Sequence, residues 1–479
     1  MRAFLLALPL LAPPAAAELR LAPLFQEHAV LQREADVPLR GWTEPGAEVT
    51  VTAGWDPEPR KGRADERGAF SVILRTPKAG GPHSLVVAAG GEEVRLANVL
   101  AGDVWIASGQ SNMQWSLAES AGGEEAAAAA DDARLRFFTV EPAAAAAEED
   151  DCGGAWEPCA PAAAREFSAV AYWYGRALAD ALDVPIGLID ASYGGTVAEA
   201  WMSAPKLRAE FPEFAPDLER MAALRAHEGA AVPASDSAWL NQNRPSALWN
   251  GMVAPLLGFP IRGVIWYQGE SNRERAEQYK KLFPALIADW RKRFGQGDFP
   301  FYFVQLAPFD YPGDGGELAL LREAQAEAQL VPFTGMAVTM DVGDPGDIHP
   351  RDKRTVGERL ANLALAGAYG RPVPCHGPAF RSLSFEEGSA LLVFDHAAGL
   401  TSRGAPPAGF EIAGADRVFH PAEAHIEGES IRVRSAAVQD PLAVRHAWRA
   451  TDPSNVWNGA GLPLSSFRTD DWPAVSRAR

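Results

Sequence analysis

Between about residue 100 and residue 370, five apolar runs alternate with helical patterns, and no other feature of the chain constrains its fold as much. The runs lie near residues 104–107, 186–190, 263–267, 301–306 and 336–341. Between them, residues 167–182 read as a helix. So do 277–294, where Tyr279, Leu282, Phe283, Leu286 and Trp290 recur at steps of three and four. Short apolar strands joined by crossover helices predict a parallel sheet covered on both faces. A ligand site is then expected beyond the carboxyl ends of the strands.

The flanks have a different rhythm. Residues 18–99 are short β-like runs, such as Val49-Thr50-Val51-Thr52, broken by Glu44-Pro45-Gly46 and Gly80-Gly81-Pro82, which predicts a β-sandwich-like domain. Residues 100–369 form the α/β domain, with insertions near 121–164 and 202–247, and β character returns over 370–479. At the start, Arg2, an apolar run over 3–11 and Ala15-Ala16-Ala17 read as a cleavable signal peptide over 1–17. That predicts a secreted or periplasmic protein. The apolar run is too short to span a bilayer, so no membrane insertion is expected.

The formal net charge is −18, from 62 acidic and 44 basic side chains; such a surface disfavours nucleic acid and anionic membranes. Cys152, Cys159 and Cys375 are the only cysteines. In an oxidising compartment Cys152 and Cys159 could close a small loop, although other pairings are open. The three thiols lack CxxC spacing and the chain has no HExxH motif, so no metal site is expected.

Four predicted strand ends carry polar residues suited to chemistry. They are Gly109-Gln110-Ser111-Asn112-Met113, Ser192-Tyr193-Gly194-Gly195-Thr196, Tyr267-Gln268-Gly269-Glu270-Ser271-Asn272, and Asp347-Ile348-His349-Pro350. A serine hydroxyl is inert at its free pKa and needs a base and oxyanion donors nearby. His349 is the candidate base. Each signal alone also fits an ordinary turn or cap, but their joint placement along one sheet edge points to a nucleophilic site.

These motifs, in this order, resemble the sialate O-acetylesterase branch of the SGNH hydrolases. Leu248-Trp249-Asn250-Gly251-Met252 and the stretch 24–33, LFQEHAVLQR, are also similar to that family. The resemblance implies a three-layer α/β/α domain and removal of acetyl groups from sugar hydroxyls without a cofactor. It implies Ser111 as nucleophile, His349 as base and Asp347 as the orienting acid. Because many relatives place the acid three residues before the histidine, where Gly346 stands here, Asp344 or a backbone carbonyl remain alternatives to Asp347. Oxyanion donors would be the Ser111 N–H, Gly194 or Gly195, and the Gln268 amide.

The expected partner is an O-acetylated sugar or polysaccharide. Trp115, Trp249, Asn250, Glu270 and Asn272 are the expected substrate-binding residues, with Tyr193, Trp201 and Tyr267 as further aromatic faces; for Glu270 the competing role is a structural acceptor that holds its loop. Core packing is the competing role for each aromatic. Arg244, Arg273 or Arg351 could pair with a sialate carboxylate. Acetylated plant hemicellulose, such as xylan or xyloglucan, fits the same motifs without such a clamp. A non-catalytic carbohydrate-binding protein is the reading of another class.

Overall fold

The computed structural model describes residues 18–225, 239–452 and 454–472. The expected signal peptide, 1–17, and part of the 202–247 insertion lie outside the described residues. The centre is a mixed sheet built on seven strands: β1 (Glu92–Gly109), β2 (Asp132–Thr139), β3 (Trp156–Cys159), β4 (Ile186–Ser192), β5 (Gly263–Tyr267), β6 (Phe301–Val304) and β7 (Thr334–Ala337). Their spatial order is β3-β2-β4-β1-β5-β6-β7. β3 runs antiparallel to β2, and every other neighbouring pair on this path is parallel.

The apolar runs explain the burial. Val104, Trp105, Ile106 and Ala107 of β1 are fully buried, as expected of a strand with neighbours on both sides and helices above it. Trp105 meets Tyr174 of helix α2 (Ala169–Leu182) with ring centroids 5.3 Å apart. Trp266 of β5 packs on Phe283 and Trp290 of helix α3 (Ala276–Phe294) at 6.3 and 6.2 Å. The periodic residues Tyr279, Leu282, Phe283, Leu286 and Trp290 all face inward. Helix α4 (Glu317–Glu327) packs beside α3, and helix α5 (Lys353–Gly367) beside α2.

β2 and β3 emerge from the stretch the sequence left as an undefined insertion, 121–164. The apolar pattern of β2 is masked by Arg136, which sits between Leu135 and Phe137 yet is buried, its guanidinium donating to the carbonyls of Ala133 and Leu135. A long basic side chain that doubles back to the main chain keeps its charge solvated by carbonyl dipoles while its stem packs.

β1 is unusually long. Its first half pairs antiparallel with the strand Gly80–Ala89, residues 100–102 pair with Val30–Gln32, and its second half joins the parallel sheet. The boundary expected at 99/100 therefore falls inside a strand, and one continuous apolar core runs from Leu19 through the α/β region. Over the last hundred residues, two four-stranded sheets enclose a second apolar cluster that includes Leu392, Ile412, Ile431 and Val444. The fully buried Arg322 of α4 ties this region to the first, donating to the carbonyls of Arg449 and Ala450 at 3.4 and 3.2 Å.

The three cysteines are free thiols. The loop closure considered for Cys152 and Cys159 does not form because an extended strand separates them. Cys159 lies opposite Asp132, while Gly154, two residues after Cys152, lies against Thr139 at the far end of β2. The seven steps of β2 from Asp132 to Thr139 span about 23 Å, well beyond the Cα separation of roughly 7 Å that a disulfide tolerates. Among the described residues, no helix is long and apolar enough to cross a membrane.

Candidate active site

The carboxyl ends of β1, β4 and β5 lie side by side, with Gly109 opposite both Ser192 and Tyr267. The chain leaves β1 through Gly109 at φ 133°, a conformation that favours glycine, and a Cβ there would meet the Tyr267 carbonyl oxygen at 2.2 Å. Two main-chain bonds staple the turn to its neighbours: Gln110 N–H donates to the Tyr267 carbonyl at 2.9 Å, and Tyr193 N–H to the Gly109 carbonyl at 3.0 Å. Ser111 then opens a one-turn helix, α1 (Ser111–Gln114), and stands half-buried at the sheet edge.

His349 arrives from the loop after β7, three residues before Asp352 caps α5 by accepting from Thr355 N–H. Its Nε2 lies 2.9 Å from Ser111 Oγ. The imidazole stacks on Trp115, with centroids 4.4 Å apart and planes 22° from parallel. Burial, and then the nearby Lys353 ammonium, hold the imidazole below its ordinary range, while Asp347 and Glu119 oppose them. A histidine that stays neutral near neutral pH is suited to accept a serine proton.

Asp347 lies beside the histidine, but its Oδ1 accepts from the His349 backbone N–H at 2.9 Å. Asp344, the alternative acid, is exposed and accepts from Gly346 N–H. The imidazole is thus held by Trp115 and Ser111, with Asp347 acting on it through space.

Gly194 packs against Ser111, where a Cβ would touch the serine Cβ at 3.4 Å. Its N–H donates to Gln114 Oε1 at 2.8 Å. Gly195 is exposed, and Asn243 clamps the turn by donating to the Gly195 carbonyl and accepting from Val197 N–H, both at 3.0 Å.

Gln268 corrects the sequence reading. It is fully buried, and its amide donates to the Thr196 carbonyl at 3.0 Å and to Asn272 Oδ1 at 2.6 Å. With both N–H bonds spent on the protein, it braces the glycine turn and does not face an oxyanion. Asn272 is likewise buried, accepting from Ala198 N–H and donating to Glu199.

Trp249 and Asn250 are also removed from the substrate face. Trp249 is fully buried, packs on Trp290 and donates to Glu148; Asn250 donates to the Ala145 carbonyl. Trp201 and Tyr267 are core residues as well. Glu270 is turned inward to Asn112. Of the five expected substrate contacts, Trp115 remains partly exposed at the serine. Trp115→Ala should lower kcat by about 10- to 100-fold, because loss of the stacking face lets the imidazole drift from Ser111; steady-state kinetics on a small acetyl ester measures this.

The sequence reading gave Asn112 no role of its own and passed over Lys353. Asn112 Nδ2 donates to Glu270 Oε1 at 2.6 Å and to the Ile348 carbonyl at 3.0 Å, while its Oδ1 accepts from Lys353 Nζ at 2.5 Å. The signal available was the Asn immediately after the serine, which lies next to the nucleophile in sequence and so next to it in space.

The family model described as carbohydrate esterase, sialic acid-specific acetylesterase, matches residues 234–366. The chain is 34% identical over 388 residues to the sialate O-acetylesterase of Homo sapiens, covering 73% of this chain and 71% of that one. It is 32% identical over 423 residues to the mouse enzyme (Mus musculus), covering 78% of each. The crystal structure of a carbohydrate acetylesterase from Xanthomonas citri superposes with a TM-score of 0.86 at 40% identity, covering 95% of this chain and all of that one.

A mixed α/β fold with these relatives defines an esterase that acts on carbohydrates. The resemblance carried by the four motifs is thereby borne out. The chain belongs to the sialate O-acetylesterase family.

Proposed function

We propose that this protein is an exported serine esterase that removes O-acetyl groups from sugars, with Ser111 as nucleophile and His349 as base. The observation that carries the reading is the 2.9 Å approach of His349 Nε2 to Ser111 Oγ at the carboxyl edge of the parallel strands. That edge, with helices α2 and α5 packed together and α3 beside α4, supports an SGNH-type layered domain.

In the first step His349 takes the Ser111 proton as the oxygen attacks the acetyl carbonyl. The tetrahedral oxygen is received by the Ser111 and Gly194 N–H groups. Gln114 Oε1, on an exposed side chain, now occupies the Gly194 donor and is the acceptor that the oxyanion replaces. The sugar alcohol leaves with the proton from His349, and water repeats the cycle on the acetyl-serine. Asp347 favours the imidazolium that forms at each stage.

Among the candidate arginines, Arg273 is paired with Asp314 at 3.0 Å and stacked on Tyr311, and Arg244 donates to the Trp239 carbonyl and lies over its ring. Arg351 is exposed, makes no ion pair among the described residues, and stands two positions after His349. Of the three, it is the arginine whose charge is left to meet an acidic sugar such as a sialate. The test is acetate release from O-acetylated sialic acid and from acetylated xylan, with the native chain and with Arg351→Gln. Release from one or both substrates is expected, with an effect of Arg351→Gln confined to the acidic sugar. No acetate from either would end the esterase reading.

A further inference from the structure

Beneath the Ser111–His349 pair lies a buried ammonium that the acyl-transfer steps do not use. Lys353, in the first turn of α5, is 1% exposed. Its Nζ makes one short bond, to Asn112 Oδ1, and otherwise lies over the rings of Tyr267 and Trp115 at 5.5 and 5.9 Å. Removing an ammonium from water is costly, and a neutral donor would hold Asn112 as well. The charge therefore needs an explanation that the hydrogen bond does not supply.

Two connections supply it. Asn112 follows Ser111 directly, and its amide reaches both the Ile348 carbonyl, next to His349, and Glu270. Lys353, Asn112 and Glu270 thus form a charge-assisted chain that pins the serine turn to the histidine loop. The Trp115 ring, meanwhile, lies within reach of both the Lys353 ammonium and the His349 imidazole.

We propose that Lys353 is a positioning residue of this site: its buried ammonium, pinned to Asn112, sets the charge that the His349 imidazole faces and locks the Ser111 turn against the His349 loop. The groups facing His349 are Lys353, Asp347 and Glu119; those facing Lys353 are Glu270, Asp347 and Asp352. Burial outweighs the three carboxylates around Lys353 and brings its pKa down to about 7, so the amine is mainly an ammonium below pH 7, where His349 titrates, and in that range its charge works with burial to disfavour the imidazolium.

The inference rests on His349 being the base, and the test separates the two. The acid limb of kcat/KM reports the free-enzyme base. In the native protein it should fall below pH 6.5, the ordinary imidazole value. Lys353→Gln keeps a donor for Asn112 and removes the charge, whereas Lys353→Met removes both. Both variants should move the acid limb to higher pH by about one unit, since a like charge that disfavoured the imidazolium is gone. kcat at the pH optimum should fall further in Lys353→Met.

A limb that stays in place while kcat falls would reduce Lys353 to a structural support and overturn the inference. A native limb at or above pH 6.5 would overturn it without any variant. His349→Ala measured alongside keeps the readings apart: substantial turnover in that variant means His349 is not the base, whereas an inactive His349→Ala with an unmoved Lys353→Gln limb removes the Lys353 inference alone.

Discussion

Ser111→Ala should lower kcat on acetyl esters by about 10⁶-fold, the loss seen when the nucleophile of a serine hydrolase is removed, with the thermal unfolding midpoint unchanged. The serine is half-buried, and its Oγ bonds the His349 ring. The turn that holds it is fixed by main-chain bonds from Gln110 and Tyr193 and by the Asn112 amide, none of which involves the hydroxyl. Deleting one oxygen therefore removes the attacking atom and leaves its setting intact. Acetate release and a melting curve on the same preparation separate the two, and a variant that keeps full activity would show that the chemistry lies elsewhere.

Gly109→Ala should act in the opposite order, on stability first. A methyl group at this position would sit 2.2 Å from the Tyr267 carbonyl oxygen, on a residue whose φ of 133° disfavours any side chain. The conformational strain and the displacement of β5 together should cost about 3 kcal/mol or more, read as a lower midpoint in urea unfolding. Because Gln110 N–H bonds the same Tyr267 carbonyl, the shift passes directly to Ser111, and activity should fall in the fraction that remains folded. An alanine variant of native stability would mean that β1 and β5 are not in contact at this point.

Much of this arrangement could be read from the residues. Each of the five apolar runs overlaps a strand of the central sheet, because sites buried on both faces admit few polar side chains. The pairing of Ser111 with His349 was legible because both follow strand ends of one sheet. What escaped was decided by which way side chains turn.

Gln268 and Asn272 sit in a motif rich in amides, and nothing in their order reveals that they bond each other and the glycine turn. Trp249 carries a large aromatic face that suits a sugar and equally suits Trp290. Lys353 was hidden because a lysine on the first turn of an amphipathic helix ordinarily points to water; its burial depends on Asn112, distant in sequence. Strand β2 was missed because Arg136 broke an apolar run whose geometry tolerates it, and β3 because its four residues include Glu157 and Pro158.

The long strand β1 has a consequence for how such a molecule can be taken apart. One ladder of hydrogen bonds runs from the antiparallel pairing with Gly80–Ala89 to the residue before the serine turn, so loosening either end draws on the other. The amino-terminal β region and the nucleophile therefore belong to one cooperative unit. A cut at residue 99 would sever a single beam in the middle, and the upstream half is as much a part of aiming Ser111 as the loop on which it sits.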